Sequence, residues 1–329
     1  MNKLEELIQK LCPIGVEYKK ISEVCQRQKG IAITAGEMKK LDKPFAPIRI
    51  FAAGNTVANV DYGDIPNSSV ISKPSIIVKS RGNIGFEYYT NPFTHKNEMW
   101  SYSAKSELIR LKFVYYFLQN HIDEFQLKAK TGKLPQISIC DTDDYKIPIP
   151  PIEVQEEIVR ILDKFTELSA ELSAELSARQ KQYSHYQEHL LTFNSDITWK
   201  PISDVFTVKN GYTPSKANSD YWENGTVPWV RMEDIRSNGR IINDTIKKVN
   251  TSAIKKSGAF PAGSTLISTT ATIGEYALLA VNAITNQQIT CLTIKKEFEK
   301  ILLPKFVFHY AYIIGEWCKK NVNQSGGLP

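Results

Sequence analysis

From Ile152 to Leu191 the chain runs for 40 residues without a glycine or a proline. Few folds accommodate such a stretch other than as one long helix, about 60 Å from end to end. Pro150 and Pro151 precede it. Neither can continue a strand ladder, and both suit the start of a helix. Glu153, Glu156 and Glu157 place negative charge on the first turns, where the helix dipole favours it. Ile158, Leu162, Phe165, Leu168, Leu172, Leu176, Tyr183, Tyr186 and Leu190 recur at threes, fours and sevens. A helix with that apolar seam and acidic flanks needs a partner helix along it. Inside the seam Glu-Leu-Ser-Ala is repeated in tandem three times, Glu167 to Ala178. A four-residue step in a heptad pattern is a stutter, which unwinds a supercoil locally without breaking its seam. Each unit therefore lengthens the helix by about 6 Å, and the stretch reads as a ruler.

On either side of this helix the sequence repeats itself. "YKKISEVCQRQKG" (18–30) matches "WKPISDVFTVKNG" (199–211), and "SRGNIGFEYY" (80–89) matches "TTATIGEYAL" (269–278). "KFVYYFLQN" (112–120) matches "KFVFHYAYI" (305–313), and "TGKLP" (131–135) matches "SGGLP" (325–329). The matches keep their order, so one domain is used twice. Each copy opens with a short helix or turn, at Ile21–Val24 and Ile202–Val205. Short β-branched runs follow, among them "PSIIVKS", "STLISTT", "YALLAV" and "QITCLTI". A helix over "KFVYYFLQNHIDEFQLKA" or its counterpart comes next. The expected class is α+β: two repeated mixed α/β domains separated by a long coiled-coil-type helix. The expected boundaries are 1–150, 151–195 for the helix, and 196–329. The first copy continues past its "TGKLP" into an expected strand, "QISICDTDDYKIPIP", and then the long helix. The second copy stops at Pro329, so a counterpart of 136–192 is expected to be missing and the second domain C-terminally truncated.

Charge follows the same division. Residues 1–150 carry 21 Lys+Arg and 16 Asp+Glu (+5), residues 151–195 carry 4 and 8 (−4), and residues 196–329 carry 16 and 11 (+5). Two basic lobes flank an acidic middle, an arrangement that permits two contacts with a polyanion. The N-terminal "MNKLEELIQKLCP" is a short amphipathic helix rather than a signal peptide. No apolar run approaches the roughly 18 residues of a membrane span. Cys12, Cys25, Cys140, Cys291 and Cys318 are scattered and odd in number, as expected of reduced thiols in a cytoplasmic protein.

The chain carries no phosphate-binding Gly-x-x-x-x-Gly-Lys-[Ser/Thr], no Gly-x-Gly-x-x-Gly and no nucleophile elbow. Asn91-Pro92-Phe93 is an ordinary turn. Asp141, Asp143 and Asp144 are expected in a solvated turn between strands, and His185 and His189 on the helix surface without a third metal ligand. Binding residues are more evident. Lys79, Ser80 and Arg81 end a strand before two glycines, and Thr269, Thr270 and Thr272 hold the matching place in the second copy. Short hydroxyls and arginine suit phosphate and base-edge contacts. Gln28, Lys29, Asn210, Tyr212, Thr213 and Lys216 sit in a second pair of matched loops. Asn286, Gln287 and Gln288 carry the amides able to pair bidentately with adenine. Lys133 and Arg231 complete the expected DNA-binding set, which includes no catalytic and no metal-binding residue.

The two diverged lobes, the "PIPPIEVQEEIVRIL" junction, "GYTPSK" (211–216), "TTATIG" (269–274) and the tandem repeat occur in this order over the whole chain. Together they resemble the DNA-specificity subunit of type I restriction–modification enzymes. The resemblance implies that each lobe is a target-recognition domain reading one half of a split, asymmetric site in double-stranded DNA. It implies that the helix docks two methyltransferase subunits, which bring S-adenosylmethionine and modify adenine. Two ATP-driven, Mg-dependent restriction subunits would complete the nuclease. The chain itself would bind no cofactor and catalyse nothing. With a second helix expected to be missing, the chain is expected either to be inactive or to pair with a second copy through the open seam. Two other readings stand beside this one: the recognition subunit of a fused nuclease–methyltransferase, and a coiled-coil scaffold without DNA binding.

Overall fold

A computed structural model describes residues 2–129, 134–193, 197–237, 239–270 and 272–322. It divides into two compact units, Met1–Glu175 and Leu176–Pro329.

The first unit begins with α1 (Lys3–Leu11), capped by reciprocal hydrogen bonds between Asn2 and Glu5. β1 (Tyr18–Lys20), α2 (Ile21–Val24), β2 (Cys25–Gln28) and α3 (Ala35–Leu41) follow. Then come β3 (Ile48–Phe51), β4 (Val57–Val60), β5 (Ser75–Lys79), β6 (Gly85–Tyr89), β7 (Phe93–His95) and β8 (Trp100–Ala104). An antiparallel sheet runs β2-β8-β5-β6, and a smaller one runs β4-β3-β7 with β3 and β7 parallel. α4 (Leu111–Asn120) lays Val114 and Leu118 on the larger sheet, against Ile76, Val78 and Tyr102. Burial on both faces explains why β5 reads as a continuous apolar run.

The single helix expected over 112–129 is two, α4 and a second, shorter one. α5 (Ile122–Lys128) starts anew after His121, whose ring Nδ1 donates to the Phe117 carbonyl at 2.8 Å. The expected strand over 136–150 is also corrected. α6 (Ile139–Asp143) occupies it, capped by Ser138 and Asp141, and only β9 (Lys146–Pro148) is extended. The acidic residues are not a solvated turn. Asp143 accepts hydrogen bonds from the Tyr102 hydroxyl and, at 2.8 Å, from Arg27, while Asp144 pairs with Lys20 at 2.7 Å. β9 pairs antiparallel with β1.

Pro150 and Pro151 then lead into α7 (Ile152–Leu191). Its first turns belong to the first unit. Gln155 is buried and fully used: it donates to the carbonyls of Pro150 (2.8 Å) and Leu108 (3.1 Å) and accepts from the Arg110 amide (2.9 Å). Arg160, and after it Lys3, hold the Glu157 carboxyl down to about 2. From Lys164 to Tyr186 every residue of α7 is exposed.

The second unit takes the last turns of α7, where Gln187 and Leu191 are buried. α8 (Ile202–Val205), β10 (Phe206–Asn210), β11 (Val227–Val230), α9 (Met232–Ser237), β12 (Ile241–Ile242) and β13 (Lys248–Val249) follow. β14 (Thr265–Ser268), β15 (Tyr276–Leu279), β16 (Ile284–Thr285), β17 (Ile289–Ile294) and α10 (Pro304–Lys320) complete it. Its sheets run β10-β17-β14-β15-β12 and β13-β11-β16, with β11 and β16 parallel. This is the topology of the first unit with β12 added at one edge, so the sequence repeat is a structural repeat. α10 packs Phe308 and Ala311 on Ile267, Tyr276 and Leu292. It crosses the β14–β15 turn closely enough that a Cβ on Gly315 would lie 2.3 Å from the Gly274 carbonyl oxygen. Among the described residues no helix is long and apolar enough to cross a membrane.

Candidate nucleic-acid interface

In each lobe the first strand of the larger sheet is followed, within two residues, by a glycine that presses against the smaller sheet. A Cβ on Gly30 would lie 2.2 Å from the His95 carbonyl oxygen, and one on Gly211 would lie 2.3 Å from the Thr285 carbonyl oxygen. No side chain fits either gap. The next residue then makes the same hydrogen bond in both lobes: Ile31 N–H to His95 O at 2.8 Å, and Tyr212 N–H to Thr285 O at 2.7 Å. The two glycines thereby steer the loops that carry the expected binding residues.

In the second lobe the expected residues converge. Thr213 donates to the Gln287 carboxamide at 2.7 Å, and Thr290 donates to Asn210 at 2.7 Å. The Thr269 and Thr290 hydroxyls lie 3.0 Å apart, and the Thr269 amide donates to Gln288 O at 3.1 Å. Asn286 donates to the Gln288 side chain at 3.2 Å. Asn210, Thr213, Thr270 and Gln287 are exposed. The result is a preorganised surface of amides and hydroxyls at one end of the sheet, able to donate and accept toward base edges and phosphates. Thr290 belongs to it and was not expected from the sequence, because its register opposite Asn210 is set by strand pairing.

Three residues of the second lobe, Tyr212, Thr272 and Arg231, are engaged in the scaffold instead. The Tyr212 hydroxyl donates to Ala253 O (3.0 Å) and accepts from the Lys255 amide (3.0 Å), while Lys255 Nζ lies 4.2 Å from the ring centroid. Thr272 Oγ1 is buried without a hydrogen-bond partner. Arg231 stacks over Trp229, 5.4 Å from the ring centroid, and pairs with Glu233 and Asp234. Lys216 is exposed.

In the first lobe Lys29 and Arg81 are exposed and Gln28 is half-buried. Arg81 donates through Nε (3.0 Å) and Nη2 (2.7 Å) to the neutral Gln136 carboxamide, which fixes the guanidinium without cancelling its charge. Gln136 is a second residue absent from the expected set. Lys79 is paired with Glu87 at 2.8 Å. Ser80 is a correction: it is buried and donates to Glu98 O at 2.6 Å, so it shapes the loop from beneath. Lys133 lies outside the described residues. No group of three or more His, Cys, Asp or Glu could hold a metal among the described residues.

The seam of α7 separates into buried and bare parts. Ile158 packs against the first lobe's core and Leu162 is half-buried. Phe165, Leu168, Leu172, Leu176, Tyr183, Tyr186 and Leu190 are each 44% or more exposed. His185 and His189 stack on the same surface with ring centroids 6.3 Å apart.

A family model described as the type I restriction modification DNA specificity domain matches residues 13–179 and again residues 194–328. The EcoprrI specificity subunit of Escherichia coli is 46% identical over 130 residues, covering 40% of this chain and 32% of that protein. The EcoR124I/EcoR124II specificity subunit of Escherichia coli is 34% identical over 232 residues, covering 66% of this chain and 55% of the relative. The chain thus spans a third to about half of the length of these relatives. Among solved structures, the S subunit of a type I restriction–modification system from M. genitalium superposes with a TM-score of 0.62 at 17% identity. That match covers 96% of this chain and 82% of the other.

Proposed function

The chain belongs to the type I restriction–modification DNA specificity family, and from that premise we propose that each of its lobes reads one half of a bipartite, asymmetric site in double-stranded DNA. A protein of this family serves DNA sequence recognition; the split of the work between two lobes is the finer reading. One observation carries it: the same glycine-steered loop frame is built twice, at Gly30 and Gly211, and bears different polar side chains in each lobe. A shared scaffold with diverged tips suits two different half-sites, since backbone contacts position and base contacts specify.

The exposed α7 seam is the surface proposed to assemble with partners. Those are two methyltransferase subunits, which carry S-adenosylmethionine and modify adenine, and two restriction subunits, which use ATP and Mg. A second copy of this chain could meet the same seam. The chain itself supplies the address, binds no cofactor and acts in the cytoplasm. The supporting feature is a 23-residue exposed stretch, Lys164 to Tyr186, with large apolar side chains along it.

The test is to express the chain with its cognate methyltransferase subunit and map methylated adenines genome-wide, with and without the chain. A new split, asymmetric motif is expected. A palindromic motif would replace two-lobe reading with pairing of two copies. No new motif would overturn the reading.

A further inference from the structure

Each lobe carries a cavity beside the segment that follows its steering glycine, and the two differ in lining and in chemistry. In the first lobe the cavity is lined by aliphatic side chains with Glu37, Asp64 and Lys40, a balance of 1 − 2 = −1. In the second lobe a cavity of about 450 Å³ is lined by Trp222 and Trp229 together with Lys216, Arg231, Lys247 and Glu223; with Arg231 already paired to Glu233 and Asp234, the remaining balance is 2 − 1 = +1. That volume falls within the range of small-ligand sites, roughly 300–1,000 Å³.

The aromatic wall is rigid. The rings of Trp222 and Trp229 meet edge to face, with centroids 5.0 Å apart at 78°. Both indole N–H groups are spent on the loop that follows Gly211: Trp222 Nε1 donates to Ser215 O at 3.0 Å and Trp229 Nε1 to Tyr212 O at 3.3 Å. Neither ring can turn without releasing that loop. Trp222 is half-buried, whereas Lys216 and Lys247 are exposed at the rim. Arg231 is held on the Trp229 side of the cavity by its ion pairs with Glu233 and Asp234. A fixed aromatic surface and two rim cations make a site for a ligand that is planar at one end and anionic at the other.

We propose that this cavity of the second lobe binds a single nucleotide, its base against Trp222 and its phosphate at Lys216 and Lys247. The nucleotide can be free, or an unstacked unit of a DNA strand; both present the same chemistry to the pocket. The proposal goes beyond the reading of duplex half-sites and does not depend on it.

Tryptophan fluorescence of the full chain tests it. The probes are 5′-dAMP, adenosine, inorganic phosphate, and a short oligonucleotide as a single strand and as its duplex. 5′-dAMP is expected to quench saturably, with adenosine and phosphate each binding at least about tenfold more weakly. Lys247→Glu is expected to weaken 5′-dAMP about tenfold, the loss of one charge-assisted hydrogen bond. Trp222→Phe is expected to remove most of the quench while far-UV circular dichroism stays unchanged. Asp64→Asn, in the first lobe's cavity, is expected to change nothing. A single strand that displaces 5′-dAMP at lower concentration than 5′-dAMP itself assigns the site to DNA; the reverse order assigns it to a free nucleotide. No saturable quench, or a quench untouched by both Lys247→Glu and Trp222→Phe, overturns the proposal. Nucleotide binding by a chain that yields no methylation motif would leave the pocket standing and remove the two-lobe reading; the converse would do the opposite.

Discussion

Gly30 and Gly211 are the clearest case of single residues fixing the course of a loop. Each sits where backbone meets backbone, so the missing Cβ is the requirement rather than an unusual φ angle. Gly211→Ala would bring a methyl within 2.3 Å of the Thr285 and Asn286 carbonyl oxygens. The main chain must move, at a cost on the order of 3 kcal/mol. A urea titration is expected to show that loss for Gly211→Ala and Gly30→Ala, and almost none for Gly239→Asn, where no atom crowds the site and φ is +69°. His95, whose carbonyl meets Gly30, adds a pH dependence. Its ring is fully buried, with Nδ1 donating to Lys96 O and Nε2 3.2 Å from the Ser101 hydroxyl. Burial lowers its pKa from the ordinary 6.5, with the Lys96 carbonyl and the Glu98 carboxylate opposing in part. The unfolded chain therefore takes up a proton near pH 6.5 while the folded chain stays neutral. The stabilising contribution is complete above that pH and declines as pH falls toward the lower folded value. Urea midpoints measured between about pH 7.5 and 5 are expected to fall more steeply for the wild type than for His95→Gln.

At the scale of elements, α7 was legible because its determinants are local: Pro150 and Pro151 before it, no glycine or proline within it, and glutamates on its first turns. α2 and α8 were legible for the same reason, each repeated in the other lobe. α6 was not, since the Ser138–Asp141 cap was hidden inside a β-rich composition and only the buried Thr142 and Asp143 contacts to Tyr102 make it necessary. The burial of Ser80 and the Arg81–Gln136 pair were likewise beyond reach, because they depend on packing across 18 and 55 residues of chain. The bare seam of α7 yields a prediction with two separable parts. Leu168 and Leu172 are 44% and 70% exposed, so Leu168→Ser with Leu172→Ser is expected to shift the chain's own stability by no more than about 0.5 kcal/mol per site. Assembly with methyltransferase subunits, followed by light scattering after size exclusion, is expected to weaken sharply. Unchanged assembly would free the seam from any docking role. The tandem repeat carries its own test. Four residues turn a helix by about 400° and advance it about 6 Å, so a unit can be lost while the leucine stripe shifts only about 40°. Deleting Glu171–Ala174 is expected to shorten the unread spacer of the methylated motif by one to two base pairs and leave both half-sites intact; an altered half-site would refute the ruler.

For the molecule as a whole, topology is duplicated while surface diverges, the arrangement that the proposed reading of two half-sites by one chain requires. Both lobes share the sheet orders β2-β8-β5-β6 and β10-β17-β14-β15, yet one cavity is acidic and the other cationic and aromatic. The lobes are each mildly basic, +5 over 1–150 and +5 over 196–329, while the intervening stretch is −4. If both lobes grip phosphates, affinity for DNA should fall with salt on a slope set by the contacts of both. Arg81→Gln and Lys29→Gln remove two exposed cations of the first lobe. Each is expected to lower the magnitude of that slope by about one, with similar loss on cognate and unrelated duplex if the contact is to phosphate. A loss confined to cognate DNA would instead place the side chain at a base edge. The decisive step is to combine this with exchange of one lobe. Replacing residues 197–322 with the matching lobe of a diverged relative should change one half of the methylated motif, preserve the other half, and leave the Arg81 and Lys29 effects in place. Change in both halves would mean that the lobes do not read independently, and the duplicated frame would then have to be understood as one composite surface.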